Sequence, residues 1–208
     1  MSPNSKLIAA LAVVLLIAAG AAMFLLRAGP EQGLPETAGG TATRAPTDQF
    51  ITTNPAPDFA AVAPLAPVGK PADMAAYRGR ALLVNLWATW CAPCIRELPS
   101  LGKLQATLGG VDFAVVTIAL DEPDATKVAP FLAQHGAANL PALIDANRTI
   151  DTVMPVPALP TSFLVDTEGK VRAVFTGDAE WHCGAALAAV QAFIADGSVS
   201  QERLSPCS

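Results

Sequence analysis

The chain has 208 residues, a net charge of −5 and only 15% charged side chains against 52% hydrophobic ones. That length accommodates one domain with appendages or two small ones. The acidic balance and the lack of any Lys/Arg cluster exclude an electrostatic nucleic-acid binder, and four cysteines with two histidines leave little room for a Cys/His-rich metal protein.

Residues 1–6 precede an uncharged run, Leu7 to Leu26, flanked by Lys6 and Arg27. About twenty apolar residues at 1.5 Å rise span a hydrocarbon core of roughly 30 Å. A core helix would carry a polar stripe, and this run has none. A signal peptide has a shorter apolar region, although Ala19-Gly20-Ala21 offers a small-residue cleavage site. A single-pass transmembrane anchor over 7–26 is the expectation, with cleavage left open. Lys6 on one side and Arg27 and Arg44 on the other leave the orientation undecided by the positive-inside rule.

Residues 27–57 are rich in Pro, Gly, Thr and Ala, with only Leu34, Phe50 and Ile51 suited to a core. Such a segment buries too little apolar surface to offset its conformational entropy and reads as a flexible linker. A globular domain is predicted over 58–197, followed by a C-terminal tail, 198–208.

Within that domain Ala81 to Trp87 is a short apolar run, the pattern of a strand buried on both faces. A helix is predicted from about Pro93, with Ile95, Leu98, Leu101, Leu104 and Leu108 at helical spacing and Gly109-Gly110 as its stop. Pro99 inside it should produce a kink. Val111 to Leu120 is a second buried strand, and Pro123 to His135 a helix that presents Val128, Phe131 and Leu132 and stops at Gly136. A short strand over Leu140 to Ile144 and a short helix over Thr149 to Met154 follow. Thr161 to Val165 is a third central strand, joined through the turn Asp166-Thr167-Glu168-Gly169 to a hairpin partner, Val171 to Thr176. Gly184 to Ala195 is the last helix, with Leu187, Val190 and Phe193/Ile194 inward. Strands alternating with helices, then a hairpin and a terminal helix, predict an α/β domain with a mixed sheet covered on both faces.

The sharpest feature is Trp90-Cys91-Ala92-Pro93-Cys94, placed where a buried strand gives way to a helix. Two cysteines separated by two residues at a helix start can close a small disulfide ring without unfolding the helix. Free amides and the dipole of the first turn stabilise a thiolate there. Cys91, first and more exposed, is the expected nucleophile, and Cys94 the resolving thiol. Pro93 suits the first turn because it has no N–H to satisfy. A structural zinc site needs four ligands, usually with a second close pair. Cys183 and Cys207, 24 residues apart, do not supply one, so no metal is expected.

The stretch Val84-Asn85-Leu86-Trp87-Ala88-Thr89-Trp90-Cys91-Ala92-Pro93-Cys94, then Arg96-Glu97-Leu98-Pro99, resembles the TlpA/ResA branch of extracytoplasmic thioredoxin-like proteins. Leu159-Pro160-Thr161-Ser162-Phe163-Leu164-Val165-Asp166 resembles that branch's second signature, and together the likeness covers roughly residues 57 to 195. It implies a thioredoxin fold and thiol:disulfide exchange, with no cofactor beyond the Cys91–Cys94 pair. It also implies a cis Pro160 lying against the cysteines. Trp90, Ala92 and Pro93 would then touch a partner protein, whose extended chain pairs with the backbone of Leu159 or Thr161. An acid at Glu97 would influence the titration of the dithiol. Asn85 departs from ordinary thioredoxins, which carry a buried Asp there, so proton handling is expected to fall to Glu97.

The same resemblance implies a monomer in the inner membrane with its domain facing the periplasm. It would reduce disulfide-containing extracytoplasmic proteins in cytochrome or cytochrome oxidase biogenesis and be re-reduced by a transmembrane electron donor. A reductant in an oxidising compartment needs such a supply. Two rivals remain. A reductase of apocytochrome c maturation is disfavoured because Pro155-Val156-Pro157-Ala158-Leu159 lacks a Gly-Val-x-Gly-Ala pattern. A Cu(I) chaperone is disfavoured because such proteins space their cysteines by three. A peroxidase fails for want of a Thr-x-x-Cys motif.

An even cysteine count invites a structural bridge between Cys183 and Cys207, worth roughly 3 kcal/mol on the chain-entropy model. Two free thiols are the alternative. His182, beside Cys183, could contribute to a copper site only if other ligands converge on it. His135 reads as a helix-end histidine near the C-terminal dipole.

Overall fold

The computed structural model describes residues 48–204 and 207, apart from 65, 67–69, 123 and 155, all within the unit Arg44–Ser208. The expected anchor, 7–26, lies outside the described residues, and among those described no helix is long and apolar enough to cross a membrane.

A six-stranded sheet has the order β1-β6-β5-β2-β3-β4. Its strands are β1 (Ile51–Thr52), β2 (Ala81–Trp87), β3 (Phe113–Ala119), β4 (Ala142–Ile144), β5 (Thr161–Val165) and β6 (Val171–Thr176). β2, β3 and β4 run parallel, whereas β5 is antiparallel to β2 and β6 to β5. Every residue of β2, β3 and β5 is buried, so the sequence there is mostly apolar rather than alternating, with Asn85, Thr117, Thr161 and Ser162 as its buried polar residues.

The two-residue side-chain period divides the buried apolar strand residues between two clusters. Leu83, Trp87, Val115 and Leu164 join Leu98, Leu101 and Leu104 of α1 (Ala92–Leu108), Val128 and Leu132 of α2 (Ala125–Gln134), and Val190 and Phe193 of α3 (Gly184–Asp196). Leu82, Val84, Val116 and Phe163 join Phe59, Met74, Ile150 and Met154, which lie in or beside 3₁₀ turns. The sheet is therefore mixed and flanked by helices, as expected of a thioredoxin-like α/β fold. The cover on its second face, however, comes from short turns rather than long helices.

Several expectations need correction. The linker does not run to residue 57, because Phe50 is fully buried and Ile51 and Thr52 pair with Val174 and Ala173 at the sheet edge. The tail 198–208 is fastened, since Leu204 packs against the core and its N–H donates to the Asp48 carbonyl at 2.6 Å. Thr149–Thr152 is a 3₁₀ turn, capped by buried Asp145, whose carboxylate accepts from the Thr149 and Ile150 amides. On α3 the fully inward positions include Ala186 and Ala189, while Leu187 and Ile194 are half-buried. Small residues there bring the helix close to its neighbours. As predicted, α1 includes Pro99 within one helix, and α2 contains Pro130 within its ten residues.

Candidate active site

β2 ends at Trp87, and the loop that follows is tied to the end of β3. The half-buried Asp121 carboxylate accepts from the Thr89 amide at 3.1 Å and from its hydroxyl at 2.6 Å. That brace, invisible in local sequence pattern, fixes where α1 begins. Cys91 is the N-cap of α1, with extended backbone (φ −84°, ψ 97°), and Ala92 and Pro93 open the first turn. The Cys94 N–H points at the Cys91 sulfur, 3.3 Å away, where a capping oxygen would ordinarily sit. An amide donor and the helix dipole both favour negative charge on this sulfur when the pair is reduced.

Cys91 and Cys94 are joined in a disulfide, with Cα atoms 5.3 Å apart. Cys91 is 4% exposed and Cys94 0%, so a partner can approach only the first sulfur. Trp90, 72% exposed, stands beside it, with Ala92 exposed and Pro93 half-buried. The Leu159–Pro160 bond is cis. Leu159 is half-buried and packs against the cluster that contains both cysteines. Thr161 is different: its side chain is fully buried and it has register partners on both sides, Leu86 and Thr176.

Glu97 is not a solvated helix carboxylate. It is 3% exposed, and three donors from three parts of the chain converge on it. Asn85 Nδ2 lies 2.7 Å from Oε1, and Trp181 Nε1 and the Ala179 amide lie 2.9 and 3.3 Å from Oε2. Burial pushes its acid up to about 8, against the pull of these hydrogen bonds, and nearby Asp178 adds to the rise. Asn85 also donates to Ser162 Oγ at 3.0 Å, so β2, β5 and α1 meet in one polar network. Trp181 was missed in the sequence because it lies 84 residues from Glu97 with no local signal linking them.

Away from this centre, Cys183 and Cys207 are bridged, with Cα atoms 5.7 Å apart. His182, Cys183 and Cys207 each place a donor atom within 4.8 Å of the others, but the bridge occupies both sulfurs. His182 Nδ1 instead faces Ser100 Oγ at 3.2 Å. His135 caps α2, its Nδ1 2.8 Å from the Phe131 carbonyl and its ring stacked on that of Phe131.

The chain thus carries a Cys-x-x-Cys disulfide at the start of a helix that follows a central parallel strand, and it has a cis proline before β5. The Redoxin family model matches residues 52–192. The chain belongs to the Redoxin family. Among curated relatives, the thiol-disulfide oxidoreductase ResA of Geobacillus thermodenitrificans is 34% identical over 101 residues, which are 49% of this redoxin and 57% of that protein. This redoxin thus spans under two thirds of the length of the curated relatives it matches first. A solved structure of a thiol:disulfide interchange protein DsbE from Chlorobium tepidum aligns with TM-score 0.55 at 25% identity, covering 66% of this redoxin and 97% of that chain. A thioredoxin family thiol:disulfide interchange protein from Chlorobium tepidum TLS aligns with TM-score 0.50 at 30% identity, covering 62% and 88%. The TlpA/ResA-type resemblance carried by the two motifs therefore holds.

Proposed function

We propose that this redoxin is a thiol–disulfide oxidoreductase that works as a reductant of partner proteins. The observation that carries the reading is the Cys94 amide aimed at the Cys91 sulfur on the first turn of α1. In the reduced state the Cys91 thiolate attacks a partner disulfide, forms a mixed disulfide and expels one partner thiolate. Cys94 then attacks the Cys91 sulfur, releases the second partner thiol and leaves Cys91–Cys94 oxidised. Two electrons pass to the partner, and the two sulfurs are the whole redox group. Exposed Trp90 and half-buried Leu159 provide a surface for the partner's chain.

The biological setting follows from the TlpA/ResA resemblance. The domain is held at the inner membrane by 7–26 and faces the periplasm as a monomer. A transmembrane donor recharges it for cytochrome or cytochrome oxidase assembly. The names of the ResA and interchange-protein relatives support the exchange chemistry.

The test is trapping. Cys94→Ala in the full chain leaves the mixed disulfide without its resolving thiol, so partners should accumulate on Cys91 and be identifiable by mass spectrometry. Failure to trap any protein, together with failure of the reduced wild-type chain to pass electrons to a model disulfide, refutes the reading.

A further inference from the structure

The loop 178–183, between β6 and α3, contains neither helix nor strand, yet it is anchored on two sides. On its inner side the Ala179 amide and the Trp181 indole N–H both reach Glu97 Oε2. The indole ring is fixed by Phe175, edge-on at 5.4 Å, and by Phe50 at 6.1 Å, so its N–H has a set direction. The His182 amide donates to Ser100 Oγ at 3.3 Å, one turn along α1 from Glu97.

On its outer side the loop ends in Cys183, bridged to Cys207. The Cys207 amide donates to Glu180 Oε2 at 3.2 Å. Leu204 of the same tail lines the cleft of about 380 Å³ that also has Glu97, Ser100 and Asp178 in its walls. The tail is held at its other end by Arg203, 2.9 Å from the Asp48 carboxylate.

Resting on the exchange chemistry proposed above, we infer that Trp181 is a positioning residue for Glu97, and that the Cys183–Cys207 bridge clamps the loop that carries it. The second disulfide then acts on the first through an acid rather than only by stabilising the fold. Hydrogen bonds to a carboxylate favour its charged form, so a slack loop leaves Glu97 protonated over a wider range. The charged groups around it are Asp178 and Glu180 on the loop, with His182 beside them, and Arg96 and Lys103 on α1, Arg96 paired with Asp178 at 3.0 Å. From the sheet, among the described residues, the neutral Asn85 and Ser162 join the network.

The experiment is a pH titration of the Glu97 carboxyl carbon by NMR in the oxidised full chain, with the resonance assigned by its loss in Glu97→Gln. Three proteins are compared: wild type, Trp181→Phe and the double variant Cys183→Ser/Cys207→Ser. Phenylalanine keeps an aromatic ring against Phe50 and Phe175 while removing the N–H together with part of the bicycle, and serine opens the bridge without reductant, so Cys91–Cys94 stays closed. Trp181→Phe should raise the Glu97 midpoint by about one pH unit, a tenfold change in its protonation equilibrium. The bridge-open variant should move it in the same direction, at least about threefold. A midpoint left at the wild-type value in Trp181→Phe overturns the positioning role, and one left there in the bridge-open variant overturns the clamp. Reduction of Cys91–Cys94 by dithiothreitol, followed on the same samples, judges the exchange reading separately.

Discussion

Replacing Glu97 by Gln should flatten the pH dependence of stability. Below pH 4.5 this group is protonated in both folded and unfolded chains and does not bias folding. As pH rises, the unfolded chain releases the proton near 4.5, while the folded chain retains it to about 8. Between those values the folded state binds more protons, so stability falls with rising pH and levels off above the folded value. The gap of 3.5 pH units, at about 1.4 kcal/mol per unit, corresponds to a loss of up to about 5 kcal/mol. Gln has no proton to lose and should lack this slope. It should also lower stability by about 1–3 kcal/mol at acidic pH, because its amide end meets donors from Asn85 or Trp181. The assay is urea denaturation of the oxidised wild type and variant at pH 5, 7 and 9. The difference between the two proteins isolates this one group, since every other titrating side chain is common to both. Parallel curves for wild type and Glu97→Gln from pH 5 to 9 would refute the assignment of a buried, proton-holding acid.

Asn85→Asp places a second carboxyl in the position of the amide now 2.7 Å from Glu97 Oε1. Two such groups cannot both ionise, so the variant should lose stability more steeply than wild type between pH 5 and 8, as read by the same denaturation series. Asp121→Ala removes the acceptor of both Thr89 hydrogen bonds and should cost about 2 kcal/mol, with faster hydrogen exchange at the Thr89 amide. Gly102→Ala, on the buried side of α1, sets a Cβ 2.6 Å from the Gly136 carbonyl oxygen. Backbone must shift to admit it, so a loss of about 1–3 kcal/mol is expected in thermal denaturation.

Much of this architecture was legible in residue order. Ala81–Trp87 matches the expected strand end to end, because a central strand covered on both faces reads as a nearly unbroken apolar run, here interrupted only by Asn85. The dithiol could be placed at a helix start because Pro93 and the following leucines mark one. Ile51 is legible as a core candidate but not as a strand residue, because two residues at a sheet edge give no periodicity and the surrounding Pro and Thr read as a linker; in the fold it is exposed on the edge strand. Ala186 and Ala189 were passed over on α3 because a hydrophobic pattern favours large side chains, whereas close helix packing selects small ones. Nothing local announces the Glu97–Trp181 contact, since a hydrogen bond between residues 84 apart exists only after the sheet has assembled.

Asp48 meets both ends of the domain. Its carbonyl takes the Leu204 amide and its carboxylate takes Arg203, two residues before the chain turns into Phe50 and the edge strand. The points where the polypeptide arrives and departs are thus neighbours at one corner. A fluorophore or affinity handle appended after Cys207 would report on the position of the arriving segment. A short glycine-rich graft between these two points would give a circular permutant that preserves the sheet order and the dithiol.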